Sequence, residues 1–141
     1  MAVVASLYHL PPRVLPAIHD VEGGRPGVTH QNTDGTLDLG VMQINTRWLD
    51  ALSRYSHTSK AVVFGRLRDE ACYNIAAAGA IMRVYLNETN GDLLRAVGDY
   101  HSHTVDLNLA YRAQVLRAAR DMFVQRVDHA MLVARRHHAI R

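Results

Sequence analysis

Glu22 ends an apolar helical stretch and is followed by Gly23-Gly24-Arg25-Pro26-Gly27, and further on the chain reads Gly40-Val41-Met42-Gln43-Ile44-Asn45. A carboxyl that must give up a proton near neutral pH needs a partly dry environment to lift its pKa, and a helix terminus facing a glycine-rich loop can supply one. Glu22 is therefore the candidate general acid, and together with the hexapeptide it points to cleavage of a sugar polymer. Asp34 and Asp38 lie between the two segments and could offer a second carboxylate to a water-using glycosidase. Asn32-Thr33-Asp34-Gly35 is mainly turn chemistry, however, and Asp38 is expected to fix the loop. His101 and His103 could be drawn with Asp99 and Asp106 as a metal site, but their spacing matches no closed zinc pattern. Neither a metal nor an organic cofactor is expected.

Helical spacing dominates the elements that must position these residues, and alternating strand patterns are scarce. The expected fold is all-α, with at most a very small β-hairpin. Pro11-Pro12 can open a helix whose apolar Val14, Leu15, Ile18 and Val21 share a face, and Gly23-Gly24 ends it, which puts Glu22 in its last turn. From Gly23 to Asp38 the chain is rich in Gly, Asn, Asp and Thr and reads as a long loop or a short hairpin turning at Asn32-Thr33-Asp34-Gly35. Asn45 or Thr46 can cap a helix carrying Trp48, Leu49, Leu52 and Tyr55, with Trp48 and Met42 open to reading as core. Asp69 can cap another from Cys72 to Leu86, whose small residues Ala76 to Ala80 suit a buried central helix. Asn90-Gly91 is a turn before a short helix that delivers Tyr100, and a last long helix runs from about Asn108 past Phe123.

A chain of 141 residues, 48% hydrophobic and 21% charged, suits a single domain with one core at about residues 10–125. No apolar run approaches the ~20 residues that cross a bilayer. Met1-Ala2-Val3-Val4 lacks the basic start of a signal peptide, so a leader, if there is one, is expected to precede this sequence. Lys60 is the one lysine among the 16 basic residues. Residues 112–141 carry 7 basic and 2 acidic side chains, so the net charge of +3 belongs to the C-terminal segment. Such a segment is either a solvated helix face or a contact for an anionic polymer or surface. Without a recognition motif beside it, nucleic-acid binding is not expected.

Three segments resemble, in order, those of the soluble lytic transglycosylases of the lysozyme-like superfamily, above all the small ones that serve secretion and pilus systems. Ala17-Ile18-His19-Asp20-Val21-Glu22 is similar to the helix ending in that family's catalytic Glu, and Asn32 to Asn45 is similar to its substrate-binding segment. Ala96-Val97-Gly98-Asp99-Tyr100-His101-Ser102 is similar to its third motif, whose Tyr sits beside the acid. The likeness spans roughly Leu10 to Tyr111 and includes Cys72-Tyr73-Asn74-Ile75.

The resemblance implies a lysozyme-like helical domain that cleaves the MurNAc-GlcNAc bond of peptidoglycan to 1,6-anhydromuramoyl products. Glu22 would be the general acid and base, oriented by Tyr100. Gln43 and Asn45 would hold the acetamido and hydroxyl groups of the sugars, Met42 would pack beneath them, and His101 and Ser102 would also contact substrate. The implied partners are peptidoglycan glycan strands and components of a secretion or pilus machine, with a monomeric protein in the periplasm or cell envelope. Rival expectations are a hydrolase resembling goose-type lysozyme and a catalytically weak peptidoglycan-binding module. Gly23 stands where the family usually has Ser, which removes a cleft hydrogen bond, and Tyr100-His101-Ser102-His103 replaces the commoner Tyr-Asn-Ala-Gly. Cys72 matches a cysteine that many such members pair with one near the mature N-terminus, a position that would fall just before Met1. The alternative for Cys72 is a plain buried thiol.

Overall fold

A computed structural model describes the backbone of residues 1–138 and the side chains of residues 1–125. The protein is mostly helical, with α1 (Ala2–Leu7), α2 (Val14–Glu22), α3 (Leu49–Ser56), α4 (Lys60–Asp69), α5 (Ala71–Glu88), α6 (Leu93–His101) and α7 (Val105–His138). Between α2 and α3 lie β1 (Thr29–Gln31), β2 (Leu37–Leu39), β3 (Ile44–Asn45) and a 3-10 turn, Thr46–Trp48. The all-α expectation with a small hairpin therefore holds.

Helix α2 begins after Pro11-Pro12, buries Val14, Leu15, Ala17 and Ile18, and makes Glu22 its last residue. Gly23 ends it at φ 62°, ψ 16°, the left-handed conformation that glycine adopts without a Cβ penalty, and its N–H donates to the His19 carbonyl at 2.9 Å. The expected hairpin is present, with Gln31 opposite Leu37 and the Asn32 N–H donating to the Thr36 carbonyl across the turn at 2.9 Å. A third strand extends it, pairing Asp38 with Asn45 and Leu39 with Ile44. Two residues are too few to show an alternating pattern.

Three expectations need correction. Asp69 ends α4 and does not cap α5, which starts at Ala71 with Glu70 in the cap position and no side-chain bond there. The preceding helix, capped at its start by Ser59, runs through Asp69, whose carboxylate is engaged by the neighbouring Arg68 guanidinium. Cys72 is exposed, so the buried-thiol reading fails. α7 starts at Val105, ahead of Asn108.

α5 does supply the small-residue surface expected of it. Ala77, Ala78 and Gly79 are buried, and Val4 and Tyr8 of the α1 segment lie so close to Gly79 that a Cβ there would stand 2.4 Å from a Val4 methyl. The Arg83 guanidinium then ties the end of α1 down through the Tyr8 and His9 carbonyls. Among the described residues no helix is long and apolar enough to cross a membrane. Of the basic segment's arginines, the side chains of Arg126, Arg135, Arg136 and Arg141 lie outside the described residues, so that expectation carries no structural account.

Candidate active site

Packing of α2 and of α6 against α7 brings the last turn of α2 close to the aromatic residues of both. The Tyr111 hydroxyl, on α7, donates to Glu22 Oε1 at 2.6 Å, while Oε2 has no hydrogen-bond partner among the described residues. Burial raises the Glu22 pKa to about 7, with the Tyr111 bond pulling the other way and the Asp38 carboxylate adding a smaller push upward. Tyr111 is itself pushed far up, first by burial and then by the Glu22 charge, so it stays a neutral donor. The raised pKa expected of Glu22 from its place at a helix end is therefore present, with burial as its main cause.

The orienting hydroxyl is not the one the resemblance implies. Tyr100 donates instead to the Met42 carbonyl at 2.9 Å, although it lies near enough to Glu22 for the carboxylate charge to help raise its pKa after burial. Met42 is also corrected: its side chain is wholly buried in the core and offers no surface to a sugar.

The turn carrying Gln43 is held from several sides. Buried Asn74, on α5, accepts from the Met42 N–H at 2.8 Å and donates to the Leu39 and Leu67 carbonyls at 2.8 and 2.7 Å. Gly24 lies so close to the same turn that a Cβ would fall 2.2 Å from the Gly40 carbonyl oxygen, so only glycine lets the segment after Glu22 reach it. His19 Nδ1 sits 3.1 Å from the Val41 carbonyl, which can only accept, and therefore carries the proton. Gln43 takes φ 49° and spends one N–H on the Gly40 carbonyl at 2.8 Å, leaving its amide oxygen and second N–H to the cleft.

Asp38 is gripped by two carboxamides, Asn32 Nδ2 at 3.0 Å and Asn45 Nδ2 at 2.8 Å. Asn45 also donates to Thr36 and accepts from the Arg47 N–H. With those groups engaged, Asn45 shapes the cleft and is a poor candidate for holding a sugar. Asp34 binds Thr36 and Arg47 at the exposed hairpin tip, as turn chemistry predicts.

Glu22, Gln43, Asp38 and the residues after Tyr100 line one cleft of about 810 Å³. Its wall includes Trp48, half-buried against the core, with Tyr85 edge-on to it at 5.6 Å and His103 against Tyr85 at 5.5 Å. His101 lies flat on Tyr111, and Ser102 lines the cleft beside it. Asp99 accepts from Asn108 at 2.9 Å. His101, His103 and Asp99 are thus each engaged elsewhere, and among the described residues no three His, Cys, Asp or Glu side chains gather as metal ligands.

The sequence assigns no role to Tyr111 and Asn74, and it reads Asn32 as part of the turn without its hold on Asp38. Tyr111 sits on the Asn108, Tyr111, Val115, Ala118 stripe that buries one face of α7, and that periodicity marks it as core without revealing what its hydroxyl meets. Asn74 did carry a signal, as the lone amide in an apolar helical stretch.

The raised Glu22 pKa sets a pH dependence of stability. Below about pH 4.5 the acid is protonated in both folded and unfolded chains; between there and about 7 the unfolded chain ionises first, so stability falls as pH rises and the loss is complete above about 7. The shift corresponds to about 3 kcal/mol at most. Urea unfolding at pH 8 should find Glu22→Gln more stable than wild type by up to that amount, with the gap closing towards pH 4.5; equal stability at both pH values would contradict the burial. No protein-family model and no curated protein matches the chain, so the functional reading of this cleft rests on its own residues.

Proposed function

We propose that the protein is a peptidoglycan lytic transglycosylase acting in the bacterial envelope, where it opens the wall locally for a secretion or pilus system. The observation that carries this reading is the half-buried Glu22 carboxyl at the end of α2, held by the Tyr111 hydroxyl on the wall of a cleft large enough for sugar rings and pushed by desolvation to a pKa of about 7.

In the first step the C1–O bond to the leaving sugar breaks and Glu22 gives its proton to the departing oxygen as the anomeric carbon becomes oxocarbenium-like. The resulting carboxylate, still held by Tyr111, takes the proton from the C6 hydroxyl of the same muramic acid. The C6 oxygen bonds to C1, the 1,6-anhydro ring closes and Glu22 regains its proton. Intramolecular attack has a high effective concentration, so no activated water and no second catalytic carboxylate are needed. The free amide groups of Gln43 and the Ser102 hydroxyl supply polar contacts to substrate, and Trp48 and Tyr85 offer flat apolar surface.

One observation favours a second reading. Asp38 shares the cleft, is held ready by Asn32 and Asn45, and acts electrostatically on Glu22, as a water-using glycosidase would require. Mass spectrometry of products from purified peptidoglycan separates the two, since a hydrolysed muropeptide is heavier than the anhydro form by one water. Anhydromuropeptides are expected. Reducing ends, lost in Asp38→Asn, would instead make the protein a hydrolase, and binding without products would make it an idle module.

A further inference from the structure

The group that orients Glu22 is itself held by stacking. His101, the last residue of α6, lies against the Tyr111 ring with centroids 4.7 Å apart and planes 3° from parallel. Tyr111 is only 3% exposed, whereas His101 is exposed, so the imidazole forms part of the cover over the phenol on the cleft side. The connection between the two helices is fixed as well. Asn108 Nδ2 donates to Asp99 Oδ1 at 2.9 Å and to the Ser102 carbonyl at 3.2 Å, and Ser102 Oγ accepts from the Thr104 N–H at 3.1 Å. His101 thus projects from a braced helix end onto a ring that has one polar task, the 2.6 Å bond to Glu22 Oε1.

We propose that His101 is a positioning residue: its ring, stacked on Tyr111, keeps the phenol hydroxyl aimed at Glu22 Oε1 and so holds the acid in the conformation that faces the cleft. This rests on Glu22 being the proton donor described above. The role needs a flat ring, and no hydrogen bond or charge from the imidazole enters it. A stacked aromatic pair biases a side-chain equilibrium by up to about tenfold, which is enough to matter for a catalytic hydrogen bond and too little to decide folding.

The test uses the full chain and three variants, His101→Ala, His101→Phe and Tyr111→Phe, with two readouts. One is kcat and KM on peptidoglycan. The other is titration of the Glu22 carboxyl by carbon NMR, its signal identified by its loss in Glu22→Gln, which needs no substrate. The charged or titratable groups facing Glu22 are Tyr111 from α7, Tyr100 from α6 and Asp38 from β2, and only the first is disturbed by His101→Ala. The expected result for His101→Ala is a kcat lower by about tenfold with KM within about twofold. Its Glu22 midpoint should move upward, because the bond that held it down is weakened. Tyr111→Phe should move the midpoint the same way, and adding His101→Ala to it should change little more. His101→Phe should keep both properties near wild type.

An unchanged kcat and titration in His101→Ala would overturn the proposal. So would a loss confined to KM, which would make His101 a sugar contact, or a His101→Phe as impaired as His101→Ala. Should wild type release nothing from peptidoglycan, the proposed activity fails, and the titration series alone still decides whether His101 holds Tyr111 on Glu22.

Discussion

Glu22→Gln is expected to lower glycan cleavage by about three orders of magnitude, the middle of the range that a positioned proton donor contributes. Gln has nearly the shape of Glu, and its amide oxygen can still accept from Tyr111, so the packing of α2 on α7 is preserved. It has no acidic proton to give to the departing oxygen and no carboxylate to take one from the C6 hydroxyl. Binding should therefore survive while both proton transfers stop. Turnover of labelled peptidoglycan, measured with sedimentation of the protein on intact walls, reads the two effects separately. A variant within tenfold of wild type would remove Glu22 from the chemistry. Lost activity with an unfolded circular-dichroism spectrum would attribute the effect to structure, and the higher stability expected at pH 8 argues against that outcome.

Asn74→Ala should have the largest effect on stability. Its side chain is wholly buried and satisfies three backbone groups, the Met42 N–H and the Leu39 and Leu67 carbonyls. Truncation strands all three in the core, and at about 1–3 kcal/mol for each unsatisfied group the expected loss is about 4 kcal/mol. Urea unfolding would measure it. Activity should fall too, since the same amide holds the turn that presents Gln43 and the carbonyl that receives Tyr100. A loss below about 1 kcal/mol would mean that water or a backbone shift replaces the amide. The two variants make opposite signatures: Glu22→Gln trades activity for stability, and Asn74→Ala loses both.

The sequence by itself determined α2, the hairpin turn and the place of Glu22, while α1, α4 and β3 were not legible in it. The face formed by Val14, Leu15 and Ile18, with Pro before it and Gly23 after, leaves little freedom for α2, so Glu22 at its end was legible from periodicity and capping alone. The hairpin turn was legible for the same reason, because Asn32 to Gly35 make their bonds within a few residues. What only the tertiary structure decided is which partner each polar group finds. Tyr111 meets Glu22 across 89 positions, Tyr100 meets Met42 across 58, and Asn74 meets Leu39 across 35. Such pairings depend on how α2, α5, α6 and α7 pack, and nothing in the local pattern distinguishes a tyrosine that orients an acid from one that braces a loop. For this reason Tyr100 passed from the hydroxyl expected on Glu22 to a brace on Met42, and Tyr111, for which no role was expected, took its place on Glu22. Met42 passed from sugar contact to core, and Asn45 from ligand-holder to support for Asp38, because burial and hydrogen-bond saturation are properties of the assembled fold. The pKa of Glu22 belongs there as well: its place at a helix end made a raised value expected, and the desolvation that raises it exists only once α7 closes over the end of α2.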